Sequence, residues 1–329
     1  MSVRLKDVAS KAGVSVATVS HVVNNTKPVS EKTKARIEAA IKELSYTPNF
    51  LAKSLKENRS KVIGLIIPDI SNYYFTEIAS IIEQRLNDAG YNMILCNSNE
   101  NLELEIQHIQ QLKAYMVSGM IIAPTTMDFD YRKLVASQDY PIVFIDRKLS
   151  TLQGDSIIAD GACAVEEAVS YLIKKGHKRI GFIGANRGLS TTANRFLGYQ
   201  NALKKNGIPL DSSLCVFGEP KINPAMSLCS QLFSQTNISA LLVSSSLMSI
   251  GAVQFFTKNN IKIPEQIALI GYDDYIWSTI TAPPLSTIKQ PTSEIGYKAA
   301  ETMLNRLEKG NTPITEILLN SEFIIRESC

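Results

Sequence analysis

Within ten residues near the front of the chain stand Ser15, Val16, Ala17, Thr18, Ser20, His21 and Asn24: hydroxyls, an amide, an imidazole and two small apolar groups. Such side chains recognise rather than react. Hydroxyls and amides hydrogen-bond phosphate oxygens, small apolar groups can touch a thymine methyl, and an imidazole can donate to a guanine acceptor. On a helix, Ser15, Val16 and Ala17 fall in the first turn and His21 one turn past Ala17. Val16, Ala17 and His21 then reach bases best, while Thr18, Ser20 and Asn24 suit phosphates. The same residues could instead be caps and a solvated surface. A second set is scattered: Asp146-Arg147, Arg195, Ser244 to Ser246 and Asp273-Asp274, groups able to orient a small polar ligand if a fold gathers them. Taken singly, these acids could merely cap helices.

Elements must position both sets. Residues 1–45 read as three short helices without a strand: Leu5 to Ala12, Val16 to Val23 after the N-cap Ser15, and Glu31 to Leu44 after the N-cap Ser30. A helix, an Ala12-Gly13-Val14 turn and a second helix have the spacing of a helix-turn-helix, whose second helix enters the DNA major groove. Ser45 to Asn49 breaks the third helix. Phe50 to Asn58 is helical in pattern but too short to stand alone in water. There Ala52, Lys53, Leu55 and Lys56 offer a small residue, two cations and an apolar wedge, the chemistry of minor-groove kinking or of a plain linker.

From Val62 onward β-branched runs alternate with amphipathic stretches, the pattern of βαβ units around parallel sheets. Expected strands are 62–67, 92–96, 119–123, 142–146, 179–183, 214–217, 240–243 and 267–272. Expected helices are 75–89, 102–115, 164–175, 192–206, 226–234, 247–260 and 294–309. Lys61 to Ile67 is echoed 117 residues later by Lys178 to Ile183, so the expected architecture is an α-helical head plus an α/β core of two doubly wound parallel-sheet lobes. Ligands of such sheets bind beyond the carboxyl ends of strands, which points to a cleft lined by Asp69 to Phe75, Asp146-Arg147, Ala185 to Arg195, Ser244 to Ser246 and Asp273-Asp274. Trp277 fits the cleft, the core or a dimer interface alike.

Composition excludes other classes. The chain has 329 residues, 45% of them hydrophobic, enough for about two domains. Residues 1–60 carry 11 Lys and Arg against 5 Asp and Glu, the remainder 23 against 26, so the small front piece is the one that attracts a polyanion. Five scattered cysteines without a C-x-x-C pair fit a reducing cytoplasm, and with three distant histidines they predict neither disulfides, a metal site nor a cofactor. The front has no apolar leader, so no secretory signal is expected. The 36 uncharged residues between Lys221 and Lys258 are interrupted by serines, better a helix, strand and helix than a membrane span. No G-x-S-x-G elbow, phosphate loop or paired carboxylate and histidine suggests catalysis.

The stretches Lys6 to Asn24, Tyr46 to Leu55, Ile63 to Asp69, Gly176 to Ile183, Arg195 to Tyr199, Ile270 to Asp274 and Pro284 to Gln290 resemble, in this order, the lactose-repressor (LacI/GalR) family of bacterial transcription regulators. The resemblance runs nearly end to end. It implies a helix-turn-helix head over 1–48, a hinge over 49–60 and a periplasmic-binding-protein-like core over 61–329. The N-lobe would comprise about 61–160 and 291–320, the C-lobe about 161–290 and 321–329. It further implies a cytoplasmic homodimer reading pseudo-palindromic double-stranded operator DNA, with paired hinges inserting Leu55 into the minor groove beside Lys53. A sugar or nucleoside effector would stack on Tyr74 and Phe75 and hydrogen-bond Arg195 and Asp273. A purine-type corepressor, a phosphorylated protein partner, or a sugar-binding protein or enzyme on the same lobes are the alternatives. Departures are Arg4 for a capping Thr, Lys53 for Arg, His21 for Arg, and Ser245 and Ser246 for Asn and Asp, so the effector cannot be copied from a relative.

Overall fold

A computed structural model describes residues 3–24, 27–46, 60–135, 140–151, 153–310 and 312–329. The chain divides into two units, Met1–Ser60 and Lys61–Cys329.

In the first unit α1 (Leu5–Ala12), α2 (Val16–Asn24) and α3 (Glu31–Glu43) close over Val8, Ala9, Ala12, Val19, Ile37 and Ala40. Helix α1 stops at Gly13, which takes the left-handed conformation (φ 61°) that a side chain would strain. The Arg36 guanidinium donates to the Ala12 and Gly13 carbonyls, so α3 fixes the turn that sets α1 against α2. At the other end, the Asp7 carboxylate accepts the Arg4 backbone N–H at 2.7 Å. That bond, beyond the dipole effect expected of Asp7, does part of the work that an Arg side chain cannot do as a cap.

The second unit contains two six-stranded sheets with equivalent strand orders. The first is ordered β11-β5-β4-β3-β1-β2, from β1 (Val62–Ile67), β2 (Asn92–Asn97), β3 (Gly119–Ile122), β4 (Ile142–Ile145), β5 (Asp155–Asp160) and β11 (Glu316–Asn320), all parallel. The second is ordered β12-β10-β9-β8-β6-β7, from β6 (Ile180–Gly184), β7 (Cys215–Phe217), β8 (Ala240–Val243), β9 (Ala268–Tyr272), β10 (Ser286–Lys289) and β12 (Glu322–Ile324), with β12 antiparallel to β10. Central strands such as β3, β4, β8 and β9 are buried throughout, as parallel strands covered on both faces must be.

Around the first sheet lie α4 (Tyr73–Asp88), α5 (Leu102–Ala114) and, from far along the chain, α11 (Thr292–Lys309), whose Ile295, Ala299, Ala300 and Met303 join that lobe's core. Around the second lie α6 (Ala162–Lys174), α7 (Ser190–Lys205), α8 (Ile222–Gln235) and α9 (Ser246–Lys258), while α10 (Ile276–Thr279) is one short turn. The chain passes between lobes after β5, after β10 and between β11 and β12.

Four strands, β5, β10, β11 and β12, escape the hydrophobic pattern because each is a short apolar run of two or three residues, or a single isoleucine, bracketed by charged, hydroxyl or amide residues. The cost of burying Asp155 in β5 is met by Arg306 Nε and Nη2 at 2.6 and 2.9 Å and by the Thr315 N–H and hydroxyl, each at 2.9 Å. Leu214, expected in a strand, belongs to a 3-10 turn (Ser212–Leu214). Helices α6, α7, α8, α9 and α11 each begin one to four residues earlier than apolar periodicity places them. The uncharged stretch after Lys221 is α8, β8 and α9, and no helix among the described residues is long and apolar enough to cross a membrane.

Candidate functional site

Helix α2 presents two faces. Val19 is buried, whereas Ser15, Val16 and Ala17 are exposed, Val16 by 46%; an apolar side chain so exposed at the front of a second helix suits contact with a base edge. The Ser15 hydroxyl accepts the Thr18 N–H at 3.1 Å and lies 2.8 Å from the Thr18 hydroxyl, so both also serve as the cap. Thr18, Ser20 and His21 are half-buried on the same helix. The Asn24 side chain, Lys53 and Leu55 lie outside the described residues.

The second site is built from strand ends. Asp146 directly follows β4 and Asp273 directly follows β9, equivalent positions of the two lobes, and each takes φ 67°. Each backbone N–H reaches back to the neighbouring strand, Asp146 to Ile157 at 3.1 Å and Asp273 to Ile288 at 2.8 Å. Left-handed backbone outside glycine is least unfavourable for Asp and Asn, and here it turns two carboxylates off the strand ends. Both are buried. Burial raises the Asp146 carboxyl above its ordinary range, with Arg147 and Arg195 opposing. Burial likewise pushes Asp273 up to about 6 against the pull of Arg195 and Gln290.

Between these acids lies Arg195 of α7, stacked 3.8 Å over the Tyr272 ring and donating to the Ser244 carbonyl at 2.7 Å and to Gln290 at 3.4 Å. Gln290 in turn donates to Asp273 at 2.6 Å. From the N-lobe, the buried Tyr74 hydroxyl sits near Asp146 and Asp273, and burial followed by those charges raises its pKa well above the phenol range. Two cross-lobe contacts flank the cluster: the Lys148 N–H donates to Ser190 Oγ at 2.9 Å, and the Tyr73 and Tyr275 rings meet edge to face at 4.5 Å.

Of the sequence-predicted residues, Tyr74, Asp146, Arg195 and Asp273 are brought together. Ser245 stands at the N-cap of α9 beside Ser244 without a side-chain cap bond, and the Asp273 carboxylate accepts the Ser246 N–H instead. Phe75 packs in the N-lobe core, edge-on to Tyr74 at 4.9 Å. Arg147 spends its fork on Glu100, at 2.8 and 2.5 Å, and on the Pro124 carbonyl at 2.8 Å, so it steadies the loop beside Asp146. Asp274 is a structural partner of Arg326, Thr287 and Ser278 and points away from any acid pair with Asp273. Tyr272, Tyr275 and Gln290 were not among the expected site residues, although Tyr272 and Gln290 stand inside quoted motifs and Tyr275 directly follows one. Among the described residues no group of three or more His, Cys, Asp or Glu could hold a metal ion.

A helix-turn-helix head joined to two lobes that enclose buried polar groups defines a ligand-responsive DNA-binding regulator. Residues 4–49 match the family described as bacterial regulatory proteins, lacI family, and residues 60–327 match that of periplasmic binding proteins and sugar binding domain of LacI family. The chain belongs to the lacI family of transcriptional regulators. It is 32% identical over 330 residues to the HTH-type transcriptional regulator RegA of Clostridium saccharobutylicum, covering all of this chain and 99% of the relative. It is 35% identical over 326 residues to the ribose operon repressor of Bacillus subtilis, covering 98% of each. The lac repressor dimer bound to operator and the anti-inducer ONPF superposes with a TM-score of 0.86 at 26% identity, over 100% of this chain and 99% of that one.

Proposed function

We propose that this regulator is a cytoplasmic homodimeric repressor without enzymatic activity, whose grip on a pseudo-palindromic operator is set by a sugar or nucleoside bound between its lobes. Residues 1–48 read the operator through Ser15, Val16, Ala17, Thr18, Ser20, His21 and Asn24. Residues 49–60 form the hinge that carries Lys53 and Leu55 to the minor groove. The effector contacts Tyr74, Asp146, Arg195, Ser245 and Asp273, with Phe75 and Arg147 supporting Tyr74 and Asp146.

The observation that carries this reading is the convergence of polar side chains from both lobes on one cluster, the buried Tyr74 and Asp146 from one and the half-buried Arg195 and buried Asp273 from the other. A ligand bonded to both sets favours one lobe arrangement by its differential affinity, and that bias is what moves an operator-binding equilibrium. The lac repressor neighbour, solved as an operator-bound dimer, supports the dimeric assembly.

Selecting bound duplexes from random DNA with the full chain tests the operator half. Enrichment of a two-fold symmetric sequence is expected; enrichment of an isolated half-site, or of nothing, removes the dimeric operator reading.

A further inference from the structure

Two hydroxyls at the interlobe cluster, those of Tyr275 and Ser244, are buried without a hydrogen-bond partner, while the Tyr74 hydroxyl is bonded to Asp146. Buried polar atoms are nearly always bonded, so orphans gathered in one place mark where another molecule bonds. They are gathered here. Tyr74 and Tyr275 both lie close enough to Asp146 and Asp273 to feel their charges, the Tyr272 ring lies under Arg195, and Ser244 gives its carbonyl to Arg195.

The charges around these hydroxyls are unbalanced. Three carboxylates, those of Asp146, Asp273 and Glu100, face two guanidinium groups: Arg195, already bonded to Ser244 and Gln290, and Arg147, bonded to Glu100 and 3.4 Å from Asp146. At the rim, Lys148 is paired with Glu316 at 2.7 Å, Lys221 with Glu219 at 2.9 Å, and Arg187 lies 4.0 Å from the Phe217 ring centre. A phosphate brought into this site would therefore meet an excess of carboxylate charge, and of these three rim cations only Arg187 stands outside an ion pair. A ligand hydroxyl would meet strong carboxylate acceptors and two unbonded hydroxyls that can donate or accept.

We propose that the cleft selects an uncharged, polyhydroxylated ligand and excludes its phosphorylated forms, with the Tyr275 hydroxyl as a specificity-determining contact that the sequence reading did not include. This rests on the effector reading above. Tyr275 is placed to act because it leaves the C-lobe directly after Asp273 and Asp274 and packs into the N-lobe core against Tyr73. Its hydroxyl thus joins the site only when the two lobes meet.

The chain carries one tryptophan, Trp277, packed against the cores of both lobes, so its emission reports the lobe arrangement. The full chain is titrated, by Trp277 fluorescence and by thermal shift, with paired probes: D-ribose and ribose 5-phosphate, D-glucose and glucose 6-phosphate, cellobiose and its phosphate, adenosine and adenosine monophosphate. Expected is a response to the neutral member of at least one pair, about tenfold or more tighter than to its phosphate, and about tenfold weaker in Tyr275→Phe. The unliganded melting temperature of that variant should stay close to wild type. Phosphorylated probes that bind as tightly or tighter overturn the selection rule while leaving the sensor reading intact. An unchanged affinity in Tyr275→Phe removes that residue from the site. Silence from every probe by both methods overturns the sensor reading and this inference with it.

Discussion

Asp146 and Asp273 occupy the same turn in two copies of one lobe, yet their partners differ. Asp146 leans on Arg147, which is itself held by Glu100, whereas Asp273 answers to Arg195 and Gln290 from its own lobe. Because burial raises Asp273 from 3.8 to about 6, the folded chain binds a proton that the unfolded chain has released across that window. Its contribution therefore weakens stability as pH rises from 4 towards 6 and above. Asp273→Asn should make the ligand-free protein more stable at pH 7.5 by roughly 1–3 kcal/mol and give no gain at pH 4. Urea unfolding at the two pH values decides it, and an equal effect at both would mean the charge is already compensated. On α2, His21→Ala should alter the preferred base at one symmetric pair of operator positions and leave the others unchanged. A randomised-operator selection with unchanged preferences would exclude His21 from base readout.

At the scale of elements, the two sheets show what hydrophobic pattern can and cannot find. Strands β1, β3, β4, β6, β8 and β9 are apolar runs and were expected, because parallel strands with both faces covered must be apolar. Strand β5 begins with Asp155, and β11 alternates exposed and half-buried residues at a sheet edge, so neither carries that signal. What allows β5 is a contact 151 residues away in sequence, the ion pair of Asp155 with Arg306. Asp155→Ala should cost about 2–4 kcal/mol, since it takes the acceptor from Arg306 Nε and the Thr315 N–H together, while Arg306 keeps the Thr312 and Pro313 carbonyls. The hydrogen bonds to Asp155 and the Arg306 charge more than offset burial and hold Asp155 below the ordinary carboxylate range. Its contribution is thus present at neutral pH and fades as acid protonates it. Thermal unfolding at pH 7 measures the loss; a shift equivalent to under 1 kcal/mol would show that α11 and β11 dock without this pair.

For the molecule as a whole, charge is divided by function. The front 60 residues hold 11 cations against 5 acids, and the remainder is slightly acidic, so polyanion attraction is confined to the head. If six or more phosphates are neutralised, operator affinity should fall by ~10³-fold between about 50 and 200 mM salt, whereas effector affinity should hardly change. Filter binding across that range, set beside Trp277 titrations at the same salt, tests this. A shallow operator slope would mean that base contacts, and not phosphates, supply most of the affinity.

Legible in the residues alone were the order of the helices and of the apolar strands, the helix-turn-helix spacing around Gly13, the duplicated β-α architecture and a short roster of polar residues at strand ends. These follow from local rules: caps, the left-handed turn, apolar periodicity and the carboxyl ends of parallel strands. Tertiary structure decided which of those residues meet. Tyr74 and Asp146 face Arg195 and Asp273 only because two sheets built from separate stretches of chain are joined by three crossings. Arg147 turns to Glu100, and Gln290 and Tyr275 enter the cluster, through contacts no local pattern encodes. A side chain's type states what it can bond; its burial and its partners, fixed by residues far along the chain, decide its charge and what it is left free to bind.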